Sequence, residues 1–310
     1  MQDYLISAEL IVLCKKISCN FIDARTSSKD YVGNSAQVLL PKIETSKGVL
    51  LSTCLRFEIY KFDGPQRPMP SLFYTEGVTC IRRLLSIMIG LQSEIVGERE
   101  ILMQVTKSID EAFELKKIDE EVYLGLQNLL KISQQIRKSC SVETAENYST
   151  IGATLLNKHI SSISNAVVMV IGAGYMSEAF LNAIDVPLST LIWANRSVSK
   201  LQKKVNKMNN ISGAEIIFCD LTEACQYLMK ADIIFSAIGN SPYLFKDQKI
   251  KNNAKIIDVS YPQVFAEHLD YDVTNIANTH FDRLVARPIP KKSITLANRE
   301  IDNVMSKLNI

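Results

Sequence analysis

The chain has 310 residues and a mass of 34.8 kDa, a length that suits two domains and a sizeable core. Hydrophobic residues make up 47% and charged residues 22%, which excludes disordered, collagenous and low-complexity architectures. Lys plus Arg number 35 against 33 Asp plus Glu, a net charge of +2; this does not mark a polybasic nucleic-acid binder and leaves room for a local basic patch. Apolar runs such as Val167–Ile171 are far shorter than the roughly 20 residues of a membrane span. The N-terminal run Leu10–Cys14 is too short for a signal peptide. A cytoplasmic protein with no membrane partner is therefore expected. The seven cysteines are odd in number, scattered and without C-x-x-C spacing, so they read as thiols in a reducing compartment, with no zinc site. The three histidines, His159, His268 and His280, all fall after residue 158. Chemistry in the first half must work without imidazole.

In chain order, the stretch to Asp63 reads as strands and turns, with Leu10–Leu13 apolar and Val49–Phe62 strand-like. A proline-punctuated loop, Gly64–Pro70, follows. From Thr79 to Cys140 apolar residues recur at 3- and 4-residue spacing, beginning Ile81, Leu84, Leu85, Met88, which predicts helices. A further helix is expected over Thr150–Ile163. Beyond it, apolar strands over Ala166–Ile171, Thr190–Ala194, Glu215–Cys219, Asp232–Ala237 and Lys255–Val259 alternate with helical stretches. That alternation is the signature of a doubly wound α/β domain with a parallel sheet buried on both faces.

Two constellations carry chemistry. Gly172-Ala173-Gly174-Tyr175-Met176-Ser177 closes a strand and opens a helix. This is where a dinucleotide's pyrophosphate meets a helix N-terminus, and small Ser177 stands where a third glycine is usual. The next strand ends in Asn195-Arg196-Ser197. A carboxylate for the ribose hydroxyl is missing there and a guanidinium suited to a 2′-phosphate is present, which predicts NADPH as cofactor. The alternative is that Arg196 is a solvated surface charge. The second constellation is Ser52-Thr53-Cys54-Leu55-Arg56-Phe57-Glu58-Ile59-Tyr60. Taken as one strand, it puts Thr53, Leu55, Phe57 and Ile59 on a core face and Ser52, Cys54, Arg56, Glu58 and Tyr60 on a polar face. A guanidinium two residues from Cys54 favours the nucleophilic thiolate, with Glu58 holding Arg56. The alternative is an inert cysteine beside an ordinary ion pair.

The segment around Cys54 resembles the S-T-C-N-R-x-E-(I/L)-Y motif of glutamyl-tRNA reductases. Gly90-Leu-Gln-Ser93-Glu-Ile-Val-Gly97-Glu98-Arg-Glu-Ile101-Leu102-Met-Gln104-Val105 is similar to the family's second motif. The G-A-G-x-M and A-N-R-S segments and Asp258–Pro262 resemble its nucleotide domain. The resemblance implies an α/β protein with an N-terminal α+β catalytic domain (1–160), a doubly wound Rossmann-type NADP-binding domain (161–285) and a truncated linker helix (286–310). It implies reduction of glutamyl-tRNA to glutamate-1-semialdehyde, in tetrapyrrole and 5-aminolevulinate biosynthesis, through a thioester on Cys54. Thr53, Arg56, Glu58, Ser93, Glu98, Gln104 and Ser149 would then bind substrate. Gly172, Ala173, Gly174, Tyr175, Met176, Ser177, Asn195, Arg196 and Ser197 would bind NADPH. A downstream aminomutase is the implied partner, and the short C-terminal stretch leads to an expectation of a monomer or weak dimer.

Departures from the family pattern are specific. Its Asn after the cysteine is Leu55, the residue after Arg56 is Phe57, its histidine seven residues before Gly90 is Arg83, and the residue after Pro262 is Gln263. Arg83 could bind an anion or stabilise an oxyanion but is a poor general base. Three alternatives stay open at this level: the same thioester chemistry on another acyl donor, a non-catalytic relative, and a shikimate dehydrogenase-like enzyme.

Overall fold

The computed structural model describes residues 3–23, 27, 32, 39, 47–53, 55–163, 165–205, 208, 211, 213–239, 244–245, 247–260, 263–265, 272–275 and 281–308. The chain forms two compact units, Met1–Ala145 together with Val285–Ile310, and Glu146–Leu284. The boundary thus lies near 145 rather than at 160, and the C-terminal helix is part of the first unit rather than a separate linker.

In the first unit, α1 (Ala8–Lys16) leads into β1 (Ser18–Asp23). The expected strand at Leu10–Leu13 is therefore helical. Leu10, Leu13 and Cys14 bury one face at helical spacing, and the Ser7 side chain caps the first turn by accepting from Leu10 N. The sheet continues with β2 (Val49–Thr53), β3 (Arg56–Lys61) and β4 (Phe73–Glu76), in the antiparallel order β2-β3-β1-β4. Helices α2 (Gly77–Ile89), α3 (Glu100–Glu114) and α4 (Glu120–Ser139) follow. The last helix of the chain (Lys291–Leu308) returns to this unit. Ala297, Ile301, Val304, Met305 and Leu308 enter the same apolar core as Leu84, Leu85, Leu129 and Leu130.

The loop between α2 and α3 is held by its ends. Gly90 closes α2 with φ 86°, and a Cβ there would lie 3.1 Å from the Gly97 Cα. Only glycine permits both the left-handed backbone and that approach. Arg137 of α4 is 1% exposed. Its Nη1 donates to Ile89 O at 2.7 Å, and its Nη2 to Gly97 O at 2.8 Å and Glu98 O at 3.1 Å. One guanidinium fork therefore ties the end of α2 to the end of the loop, a task that a single ammonium cannot perform.

The second unit opens with α5 (Tyr148–Ile160), capped by a reciprocal Asn147–Thr150 capping box. Its Gly152 faces Phe235 and Ile257, and Tyr148 meets Phe281 edge-on at 5.0 Å. These contacts place the helix with the nucleotide unit. Then come β5 (Val167–Ile171), α6 (Tyr175–Ala183), β6 (Thr190–Ala194), α7 (Val198–Val205), β7 (Glu215–Cys219), β8 (Ile233–Ser236), β9 (Lys255–Asp258) and β10 (Asp272–Asn275). With these labels the closing helix Lys291–Leu308 is α8. The six strands are parallel in the order β10-β9-β8-β5-β6-β7. This is the doubly wound arrangement with its switch point between β5 and β8. β10 is absent from the sequence reading because Asp-Val-Thr-Asn carries no apolar run. Among the described residues no helix is long and apolar enough to cross a membrane, and no three metal-ligating side chains converge.

Replacing Arg137 with Met should leave the α2–α3 loop carbonyls unpaired in the core. We expect a loss of about 3 kcal/mol, read from the urea midpoint of unfolding. Arg137→Lys should recover only part of it.

Candidate active site and nucleotide site

Cys54 lies outside the described residues. Its neighbours are described, and they change the geometry expected of the motif. Residues 49–61 are a hairpin rather than one strand: Thr53 pairs with Arg56 and Ser52 with Phe57, and Leu55 stands in the turn between them. A turn inside the motif breaks the alternation that a single strand would carry through it. Thr53 therefore shares a face with Arg56, and Leu51 with Glu58, while Ser52 joins Phe57 on the opposite face. Both faces are covered. Phe57 and Ile59 pack with Ile22, and Tyr60 packs with Val49 and Leu51.

Glu58 is the hub of this face, with its side chain fully buried. Its Oε1 accepts from Arg56 Nη1 at 3.2 Å and from Arg83 Nη2 at 2.8 Å. Its Oε2 accepts from Arg83 Nε at 3.2 Å and from the Tyr60 hydroxyl at 2.5 Å. Arg83 also donates to Asp23 Oδ2 at 2.5 Å, and its guanidinium lies 3.4 Å from the Phe21 ring centre. Arg56 is 3% exposed. Its Nη2 donates to Gln92 O at 2.8 Å, which links the hairpin to the α2–α3 loop. Two guanidinium groups and two carboxylates thus close a buried quartet. Burial works against the charge on Arg83, yet Glu58, Tyr60 and Asp23 more than restore it and hold the group firmly protonated. Burial, reinforced by Glu58, pushes the Tyr60 hydroxyl and the Cys19 thiol well above their usual ranges. Neither is a proton donor or nucleophile near neutral pH.

The remaining expected substrate residues divide. Ser93 and Glu98 are buried in the α2–α3 loop, whereas Gln104 is exposed on α3. Ser149 belongs to the second unit, fully buried in the first turn of α5, with its Oγ unpartnered among the described residues. The Glu98 carboxyl is pushed up to about 8, chiefly by burial and then by Glu100, with Ser93, Arg56 and Arg137 opposing. Its Oε2 has no hydrogen-bond partner among the described residues.

In the second unit Gly172 follows β5 with φ 116°, and a Cβ there would meet Ala237 O at 2.5 Å. The position admits glycine alone. Gly174 differs: a Cβ there meets nothing within 4 Å, so the glycine leaves open space before the first turn of α6. That helix starts at Tyr175 with no side-chain cap, and its first N–H groups lack a capping partner from Gly174. An anionic pyrophosphate fits both features. Ala173 and Met176 are half-buried, Tyr175 is exposed, and Ser177 is fully buried as the small residue of the α6 turn. At the end of β6, Asn195 and Ser197 are half-buried and Arg196 is exposed, its Nη2 donating to Gly239 O at 2.8 Å. Asp258, at the carboxyl end of β9, accepts from Ser236 Oγ, Ser260 N, Val264 N and Phe265 N. It organises the loop after the strand, which explains an acid in the middle of an apolar segment. Asp23, Arg137 and the clamping role of Arg83 are the functional features that sequence reasoning missed. None has a local signal, because each partner is distant along the chain.

The chain combines an α+β unit built around a buried Arg–Glu centre with a doubly wound unit of the kind that binds nucleotides. Residues 15–140 match the sequence model of the glutamyl-tRNAGlu reductase N-terminal domain, and residues 154–286 match that of shikimate / quinate 5-dehydrogenase. The likeness to glutamyl-tRNA reductase falls on the first unit and that to shikimate / quinate dehydrogenase on the second. The chain is 24% identical over 274 residues to the glutamyl-tRNA reductase of Methanopyrus kandleri, covering 83% of this chain and 66% of that one. It is 27% identical over 231 residues to that of a Shewanella species, covering 69% and 54%. The chain therefore spans between half and two thirds of the length of these relatives. The solved Methanopyrus kandleri enzyme aligns over 95% of this chain and 80% of its own, with a TM-score of 0.46 and 20% identity.

Glu98 makes the first unit's stability pH-dependent. Its carboxyl ionises near 8 when folded and near 4.3 when unfolded. Between those values the folded state holds a proton that the unfolded state lacks. Stability therefore falls as pH rises through that window, by at most about 1.4 kcal/mol per pH unit. Glu98→Gln should abolish this fall and be more stable than the parent at pH 8 but not at pH 4.5, as measured by urea midpoints across pH.

Proposed function

We propose that this protein reduces the glutamyl ester of glutamyl-tRNA to glutamate-1-semialdehyde with NADPH, through a thioester on Cys54. The observation that carries the reading is the buried Arg56–Glu58–Arg83 assembly, built on the strand that directly follows Cys54, in a domain of the matching family.

The Cys54 thiolate attacks the ester carbonyl, the carbon–oxygen bond to the terminal ribose breaks, and the tRNA leaves with its hydroxyl restored. Bound NADPH supplies the hydride that turns the thioester carbon into an aldehyde, returning the sulfur as thiolate. The work of this chain's own residues is electrostatic. Arg56 places a fixed cation beside the hairpin turn, and a nearby cation favours thiolate over thiol. Arg83 takes the other edge of Glu58 and a second carboxylate, Asp23, so Glu58 does not have to answer Arg56 alone. A protonated, doubly paired guanidinium cannot accept the thiol proton, so activation rests on the ionisation of Cys54 itself. In the second unit, the open space at Gly174 and the uncapped start of α6 support a pyrophosphate. The exposed Arg196 supports the 2′-phosphate of NADPH.

Incubation with glutamyl-tRNA in the absence of nucleotide should leave a glutamyl adduct on the peptide containing Cys54, detected by mass spectrometry. Cys54→Ser should show none and should not oxidise NADPH, whereas Cys140→Ser should behave as the parent. An adduct that persists in Cys54→Ser would exclude this mechanism. For the nucleotide, Arg196→Glu should weaken NADPH binding about tenfold, roughly 1.4 kcal/mol, and change NADH binding little, by fluorescence titration. Equal affinities of the unaltered protein for both nucleotides would overturn the assignment of Arg196.

A further inference from the structure

Away from the Glu58 quartet, the first unit carries an open cavity of about 470 Å3 where the start of β2, the end of β3 and the α3–α4 turn meet. Lys47, Lys61, Lys116 and Lys117 line it, together with Asp63 and Asp119. Two backbone constraints bring the lysines together. Gly48 has φ 120°, and a Cβ there would meet Tyr60 O at 2.2 Å, so only glycine lets the chain carrying Lys47 run against the end of β3. Its N–H donates to Lys117 O at 2.9 Å, which joins the strand to the helical turn. Lys116 holds a left-handed backbone with φ 55°, a conformation that disfavours a non-glycine residue.

Charge in the cavity is unbalanced. Four lysines face two carboxylates, both held by local hydrogen bonds: Asp119 accepts from Val122 N as the cap of α4, and Asp63 from Gln66 Nε2. Among the described residues no carboxylate forms an ion pair with Lys47, Lys61 or Lys116. Lys61 donates to the backbone oxygen of Lys47. Its ammonium is pulled below the usual range, first by burial and further by Lys117, against Asp63. Four lysines thus line a space large enough for a phosphate and its sugar. All four are lysines, compact point charges without the fork that reads a planar group. Such a set positions a repeating phosphate chain without reading its sequence.

We propose that this lysine-lined cavity is a contact site for the phosphate backbone of RNA, which on the reaction proposed above is the tRNA part of the substrate. The site holds the nucleic acid by charge, apart from the hairpin where the ester is cleaved.

The test measures binding of an unacylated tRNA transcript to the full chain between 50 and 200 mM salt. Lys47→Gln/Lys116→Gln is compared with a charge-matched control on the exposed side of α4, Lys131→Gln/Lys138→Gln. Each lost phosphate contact lowers the slope of log affinity against log salt by about 0.7–0.9. The cavity variant should therefore lose between one and two from the slope and bind roughly tenfold more weakly at low salt, while the control keeps the parent slope. An unchanged slope in the cavity variant, or an equal loss in the control, overturns the site and leaves the proposed reaction standing. Absence of tRNA binding by the unaltered protein overturns both. A cavity variant that loses affinity for inorganic pyrophosphate but not for the transcript shows a small-anion pocket and also overturns the proposal.

Discussion

A carboxylate cut off from water must find all its hydrogen-bond partners within the protein, and the first unit is arranged around that demand at Glu58. The residue sits on the central antiparallel pair β1–β3, with two guanidinium groups and a phenol converging on its two oxygens. Removing a charge from water costs several kcal/mol, so losing one partner of such a group is more harmful than never having had the pair. This constraint fixes the rotamer of Arg56 on the sheet and of Arg83 on α2, and through them the register of sheet against helix.

From that hub, order spreads to the α2–α3 loop along two guanidinium groups. Arg56 grips the loop at Gln92 O, and Arg137 grips its two ends. The glycines of the loop motif therefore have a mechanical role: Gly90 and Gly97 approach so closely that a side chain on the first would collide with the second. Glu98 is carried into the interior as a consequence. A carboxyl that keeps its proton near neutrality is the electrostatic result of a loop closed by backbone contacts rather than by solvent-facing charges.

The presence of arginine at position 83 has a definite chemical meaning. Asp23 supplies the countercharge that a permanently protonated side chain needs in a nearly closed site, and Phe21 supplies a flat surface for the guanidinium. The site gains a rigid electrostatic clamp and has no titratable base at that position. The first unit contains no histidine, so nothing else there replaces imidazole.

Much of this protein was legible without coordinates. The apolar strands β5, β6, β8 and β9 are buried on both faces of a parallel sheet, with β7 half-exposed at its edge, and that requirement writes itself into composition. The strand-turn-helix at Gly172 is equally local, because backbone torsion and close approach act on the residue itself. The motif around Cys54 points to the reductase whose N-terminal domain model matches residues 15–140, yet its alternation is misleading, since a turn at Leu55 within it exchanges the faces of Ser52 and Thr53. Helix α1 does not stand out in the sequence because Leu10–Cys14 is a continuous apolar run without a helical period, of which only Leu10, Leu13 and Cys14 are buried. What only the tertiary structure decided was which distant groups meet: Asp23 with Arg83 across 60 residues, Arg137 with Gly97 across 40, and α8 with the core of the first unit. Pairings of this kind depend on how a sheet and its covering helices close in space. Sequence spacing constrains side chains within one element, and it places no constraint on partners that folding brings together from far along the chain.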